Sequence, residues 1–227
     1  MDRKIDKSYK QKVIFASIHL LALLTSYWLL FSDGQNFISN LFGQPKITSL
    51  LISRIVIFSC GLLYFMRHLI TLFVLLKREV AWNEVLAVGP LIALIQILFA
   101  ILTIYNKENF NSFDWILIGI VIFGSYLNTG SELQRMIWKK EKSNKGKLYS
   151  EGLFKYSMHI NYLGDTILFS AFAFLTGSIW AFLVPILITL GFIFHHIPEL
   201  DKYLKVRYKE QFTEYESKTK KFIPWVY

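Results

Sequence analysis

Long apolar runs separated by short polar breaks dominate the chain. They cover residues 13–31, 50–76, 80–105, 115–128, 156–175 and 179–197. A helix needs about 20 such residues to cross a bilayer, so each run predicts a span, with 115–128 and 156–175 giving the weakest signals. The first run exceeds the roughly 7–15 apolar residues of a signal-peptide core and predicts a retained helix. The second, at 27 residues, is too long for an upright span and carries Arg54, Arg67 and His68. Either a tilted helix buries these groups against its neighbours, or one end leaves the bilayer and makes room for a short seventh span. The pattern predicts an all-α polytopic membrane bundle of about six helices. No repeat or flexible linker interrupts it, so residues 1–227 read as one integral membrane domain.

Composition supports this reading. Of 227 residues, 54 % are hydrophobic and only 18 % charged, against about 25 % charged in soluble domains. The net charge of +9 is unevenly placed. The N-terminus (Arg3, Lys4, Lys7, Lys10, Lys12), the Lys77/Arg78 link, residues 135–155 and the tail after Ile197 hold 21 of the 25 basic residues. The alternate links hold only Lys46 and Lys107. That alternation predicts both termini on the cytoplasmic side, and it accounts for the basicity without nucleic acid. The single Cys60 excludes a disulfide scaffold. The Lys/Ile/Asn/Phe-rich composition points only to an AT-rich genome, and the lack of a Lys-Asp-Glu-Leu tail favours a bacterial cytoplasmic membrane over the endoplasmic reticulum.

Polar side chains inside apolar helices are costly and mark candidate sites. Asn128, Glu132, Arg135 and Lys139 fall at i, i+4, i+7 and i+11, one stripe if the helix continues. The stripe suits a ribose through the carboxylate and phosphates through the cations. Equally, it reads as an i, i+3 ion pair with interfacial anchoring. Asn161 and Asp165 open the fifth span at i, i+4 with Gly164 between them. Beyond the sixth span, His195 and His196 precede an amphipathic segment in which Leu204, Tyr208, Phe212 and Tyr215 align. Adjacent histidines point about 100° apart on a helix, so no metal site is expected. Gly-x-Gly-x-x-Gly, Walker, Gly-x-Ser-x-Gly and His-Glu-x-x-His motifs are all absent.

The run Gly152-Leu-Phe-Lys-Tyr-Ser-Met-His159-Ile-Asn161-Tyr162-Leu-Gly164-Asp165, together with Tyr208-x-x-x-Phe212-x-x-Tyr215 and Phe222-Ile-Pro224-Trp225, resembles the C-terminal module of the steroid 5-alpha-reductase superfamily. Its bacterial-type members are the most similar, and the superfamily extends to sterol C14-reductases and isoprenylcysteine carboxyl methyltransferases. The resemblance covers residues 128–227. Methyltransferase members show Arg-His-Pro-x-Tyr-x-Gly and use S-adenosylmethionine, whereas Met158-His159-Ile160 lacks that Arg and Pro. Reductase members show Asn-Tyr-x-Gly-Glu/Asp, as Asn161 to Asp165 does. The resemblance implies an NADPH site drawn from Asn128, Glu132, Arg135, Lys139, His159, Asn161, Asp165, His195 and Tyr208. It implies hydride transfer to an activated double bond of a lipophilic substrate arriving from the bilayer, with S-adenosylmethionine-dependent methyl transfer as the alternative. For the group that polarises the substrate, Tyr64, Glu84 and Tyr105 are candidates by residue type and depth, Tyr64 and Glu84 foremost.

Overall fold

Within hydrocarbon, every backbone N–H and C=O must find its partner inside its own segment, which leaves helices as the spanning element for an apolar chain of this kind. The computed structural model describes residues 8–43 and 49–227. Among the described residues the fold is helical with no strand. Five helices are long and apolar enough to cross a membrane: Tyr9–Phe31, Leu51–Leu75, Trp82–Asn106, Ser112–Trp138 and Ile179–Tyr208. Ile160–Leu175 is a shorter apolar helix, and the six coincide with the six apolar runs. The chain is a polytopic integral membrane protein. Arg3, Lys4, Lys7 and Lys46, which contribute to the charge asymmetry, lie outside the described residues.

No seventh span appears among the described residues. The extra helix, Gly34–Phe42, has nine residues, or roughly 14 Å at 1.5 Å per residue, against a hydrocarbon core of about 30 Å. The long second run is one continuous helix that buries Arg67 and His68, while Arg54 turns back to donate to the Ser49 carbonyl at 2.8 Å.

The chain divides into two compact units, 1–118 with 171–182, and 119–170 with 183–227. The first unit contains α1 (Tyr9–Phe31), α2 (Gly34–Phe42), α3 (Leu51–Ile70, prolonged by a π turn over Thr71–Leu75) and α4 (Trp82–Asn106). Here α1 lies against α3 and α4, burying Phe15 with Leu72, Val80, Val85 and Ile92. One face of α1 carries Lys12, His19 and Ser26 at seven-residue spacing, all buried. Each reaches across the bundle: Lys12 Nζ donates to the Leu76 carbonyl at 2.8 Å, His19 Nδ1 meets His68 Nδ1 at 2.9 Å, and Ser26 Oγ lies 3.3 Å from the Gln96 carbonyl. Buried Asp114 is paired with Lys107 at 2.6 Å and accepts from the Asn111 N–H at 2.8 Å.

The chain passes into the second unit within α5 (Ser112–Ser125), and that helix continues through a π turn over Tyr126–Gly130 into α6 (Ser131–Trp138). The unit also takes the start of α7 (Ile160–Leu175), then α8 (Leu183–Gly191), a π turn over Phe192–His196, α9 (Ile197–Tyr208) and α10 (Glu210–Lys218). Its central feature is a glycine crossing. A Cβ on Gly164 would sit 2.6 Å from the Asn128 backbone nitrogen and 2.7 Å from the Gly124 carbonyl oxygen. A Cβ on Gly124 would sit 2.7 Å from the Gly164 carbonyl oxygen. Small residues let helix backbones touch, the usual way that helices associate in lipid.

Gly164→Ala is expected to lower stability by about 1–3 kcal/mol, the range for overfilling a tight contact. Gly119→Ala, where an added Cβ meets nothing within 4 Å, should leave stability unchanged or raise it slightly. Melting temperatures of the two variants in one detergent compare them directly; equal melting would refute a backbone-to-backbone crossing at Gly164.

Candidate functional site

The helix crossing decides which polar groups meet. Because α7 touches the α5–α6 helix at its glycines, the π turn over Tyr126–Gly130 brings Asn128 against the first turns of α7. Wide turns of this kind often occur at functional positions, since they re-aim side chains without ending the helix. Asn128 Nδ2 donates to Asp165 Oδ2 at 2.9 Å and to the Asn161 carbonyl at 3.0 Å. Asn161 Nδ2 in turn donates to Glu132 Oε1 at 3.0 Å. The other Glu132 oxygen is ion-paired with Arg135, whose guanidinium lies 5.3 Å from the Phe154 ring centroid. Two amides, two carboxylates and a guanidinium thus form one connected network. All five side chains are half-buried except that Arg135 keeps 36 % of its side-chain surface exposed, so a cation faces outward from a rigid polar base. Lys139 follows at the end of α6 and is exposed. Gln134 serves the scaffold: its Oε1 accepts the Leu153 N–H at 2.9 Å and ties the 152–155 turn to α6.

His159 is buried, with 1 % of its side chain exposed, and sits in a second cluster. Its Nε2 lies 2.8 Å from Asp201 Oδ1, while Lys221 Nζ lies 3.1 Å from Asp201 Oδ2 and 3.2 Å from Glu216. Burial disfavours the Lys221 charge, but its hydrogen bonds to Asp201 and Glu216 and their negative charges outweigh this and hold the ammonium above its ordinary pKa. With Asp201 kept as an acceptor by Lys221, His159 donates through Nε2. Its Nδ1 is buried without a hydrogen-bond partner among the described residues. The ring stacks on Tyr162 (5.7 Å, 8° between planes), and Tyr162 stacks on Phe192 (4.5 Å, 11°).

The tail holds this cluster in place. The Met158 and His159 N–H groups donate to the Lys220 and Lys221 carbonyls at 2.9 and 3.0 Å, and Ser157 Oγ donates to the Phe222 carbonyl at 2.8 Å. Tyr215 packs with Met158 and Phe212, its hydroxyl donating to the Phe154 carbonyl at 2.6 Å. Burial raises the Tyr215 pKa. Tyr208 lies half-buried against the same cluster.

The structure therefore brings together Asn128, Glu132, Arg135, Asn161 and Asp165, and places His159 and Tyr208 in the neighbouring tail cluster. His195 stands apart from both: it is exposed and faces Glu199 at 3.7 Å. Its neighbour His196 is the one that turns toward Tyr162, with ring centroids 6.3 Å apart. In the first unit, Glu84 is clasped by Arg78 through two hydrogen bonds of 2.7 and 2.6 Å. Tyr105 lies 3.2 Å from Ser39 Oγ. Tyr64 is half-buried beside His19. Asp201 and Lys221 were not among the residues singled out from the sequence. Asp201 carries a readable signal, since it precedes Leu204 and Tyr208 by three and seven positions and so lies on their stripe, where a carboxylate must find a partner. A cleft of about 480 Å³, lined by Ser150, Lys155, Gln211, Glu214 and Lys218 among others, opens beside Tyr215; its Lys218 is already paired with Glu214 at 2.6 Å.

Residues 69–219 match the family described as Protein of unknown function (DUF1295), and the chain belongs to it; that family falls within the steroid 5-alpha-reductase-like superfamily. The chain is also similar to the Probable O-methyltransferase ustE of Ustilaginoidea virens, with 33 % identity over 96 residues. That match takes in 41 % of this chain and 34 % of the relative's own length.

Asp201→Ala removes the acceptor from a buried imidazole and is expected to cost about 1–3 kcal/mol. His159→Ala should cost less in the Asp201→Ala background than in the wild type, because the two side chains share one interaction. A double-mutant cycle read by detergent melting checks this; strict additivity would show that the pair is not coupled.

Proposed function

We propose that this DUF1295-family chain is a membrane-embedded reductase that uses NADPH to reduce an activated carbon–carbon double bond in a lipid, isoprenoid or sterol-like substrate. One observation carries the reading: the Asn128–Asp165–Asn161–Glu132–Arg135 network fixes carboxylates and an outward-facing guanidinium on two helices. Half-buried carboxylates suit ribose hydroxyls, while Arg135 and Lys139 suit phosphates, which bind well to a planar guanidinium fork. A dinucleotide carrying a pyrophosphate and a 2′-phosphate needs such cations; S-adenosylmethionine has no phosphate and does not. The unpartnered Nδ1 of His159 offers one more polar contact beside the Tyr162 ring.

When bound, NADPH supplies a hydride; the protein binds and orients it, excludes water and provides the hydrogen bond that the reduced substrate requires. Asn128 and Asn161 hold the carboxylates of Asp165 and Glu132 in place for hydroxyl groups. Arg135, leaning on the Phe154 ring, keeps its remaining N–H groups for phosphate. Hydride addition to an enone places negative charge on the carbonyl oxygen, so a donor must face that oxygen. Tyr64 and Glu84 are the residues we propose for that donor. The placement of basic residues suits a cytoplasmic membrane, bacterial in our reading, with cofactor taken up from the basic side.

Methyl transfer from S-adenosylmethionine is the second reading, favoured by the similarity to a protein named as a probable O-methyltransferase. The two readings separate on cofactor. At 100 times its dissociation constant a ligand adds about 2.7 kcal/mol to stability, so NADPH should raise the melting temperature of the purified protein where S-adenosylmethionine does not. Arg135→Ala and Asp165→Asn should each weaken NADPH binding at least tenfold, with melting of the free protein little changed for Arg135→Ala. A shift with S-adenosylmethionine alone would overturn the reductase assignment.

A further inference from the structure

The first unit holds a buried polar centre outside the network described above. His19 lies midway along α1 and is 0 % exposed; His68, near the end of α3, is 8 % exposed. Their Nδ1 atoms are 2.9 Å apart, so one ring donates and the other accepts, and a single proton lies between them. Phe15, Tyr64 and Phe65 wall the pair, with ring centroids 4.6, 4.8 and 5.2 Å from the histidine each one faces. The outer nitrogen of His19, Nε2, is buried with no hydrogen-bond partner among the described residues. Lys12 and Ser26, two turns away on the same face, both reach backbone carbonyls. His19 differs from them in having one nitrogen satisfied and the other buried without a partner, in a pair walled by three aromatic rings.

We propose that the His19–His68 pair is a recognition site for a single uncharged oxygen function, a carbonyl or a hydroxyl, of a lipid-soluble molecule. The donor and acceptor count sets the ligand class. If His68 donates at Nδ1, neutral His19 carries its proton on Nε2 and offers it to a carbonyl oxygen. If His19 donates at Nδ1, its Nε2 is a lone pair that accepts from a hydroxyl. Neither arrangement presents net charge, and the aromatic wall suits an apolar body attached to one polar atom. The Tyr64 ring stands beside the His19 ring, 4.8 Å between centroids. A merely structural pair would not require an imidazole at His19, because Phe or Leu fills such a helix interface without leaving a polar atom unpaired. The inference rests on the reading of this chain as one that acts on a lipophilic substrate.

Three probes on a common sixteen-carbon chain test it, each bearing a diazirine and an alkyne tag: one ending in a methyl ketone, one in a primary alcohol, one in plain hydrocarbon. They are photolysed with the full-length protein in phosphatidylcholine nanodiscs, and labelled peptides are mapped. The ketone or the alcohol is expected to label the peptides around His19 and His68 at least fivefold more than the hydrocarbon; labelling by the ketone, which only accepts, identifies a proton on His19 Nε2, and labelling by the alcohol alone a lone pair there. His19→Phe should bring labelling by that probe down to the hydrocarbon level, and His19→Gln, which puts a hydrogen-bonding amide in place of the imidazole, should retain part of it. Equal labelling by all three probes, or labelling unaffected by His19→Phe, overturns the proposal. If His19→Phe does not fold, the probe ranking on the wild-type protein and the response of His19→Gln decide it. An NADPH melting shift measured on the same samples keeps the two readings apart. Selective labelling without the shift sinks the reductase assignment alone, and the shift without selective labelling sinks the oxygen site alone.

Discussion

The approach of Gly164 to Gly124 and Asn128 is the contact on which the candidate site depends. With any side chain at Gly164, α7 would have to move away from the α5–α6 helix, and the 2.9 and 3.0 Å hydrogen bonds from Asn128 would lengthen beyond use. Backbone proximity sets the distance, and the π turn over Tyr126–Gly130 sets the direction in which Asn128 points. Asn161 then links Glu132 to the same helix face. Functional geometry therefore follows from two glycines and one widened turn, none of which has reactive chemistry of its own.

Burial in a membrane protein adds a second constraint. Polar groups within the spans cannot turn to water and must be paired inside the bundle. Lys12, Arg54, Ser26 and Asn128 obey this by reaching main-chain carbonyls. Asp114, Asp165 and Asp201 obey it by pairing with a cation, an amide or an imidazole. Among the described residues, buried side-chain atoms without a hydrogen-bond partner also occur, Ser53 Oγ and Gln96 Oε1 among them, and two are the imidazole nitrogens His19 Nε2 and His159 Nδ1. Both belong to imidazoles held at their other nitrogen, which is how a protein pre-orients such a ring for a partner. The tail contributes to this through Lys221, which keeps Asp201 an acceptor, and through backbone bonds that fix residues 157–159.

Much of the fold was legible in the sequence for a simple reason: apolar run length reports on the bilayer. Six runs became six apolar helices, the excess length of the second became a continuous buried helix, and the stripe from Asn128 to Arg135 stayed on one face because the helix continues through it. The i, i+4 pair Asn161 and Asp165 could be read as a site for the same reason, as amide and carboxylate groups in an apolar setting. The choice between His195 and His196 could not be made this way. Adjacent residues differ by about 100° in direction, and only the position of Tyr162 shows which of the two exposed rings faces it.

What the sequence alone determined was therefore local: which segments are helical, which are apolar enough to enter a membrane, and which polar side chains lie in costly surroundings. What only the tertiary structure decided was pairing: His159 with Asp201 across 42 positions, Asn128 with Asp165 across 37, His19 with His68 across 49. Periodicity describes how one helix divides into faces. It holds no information about which residue of another helix will stand opposite, because that is settled by where backbones can approach and where each buried donor finds its acceptor.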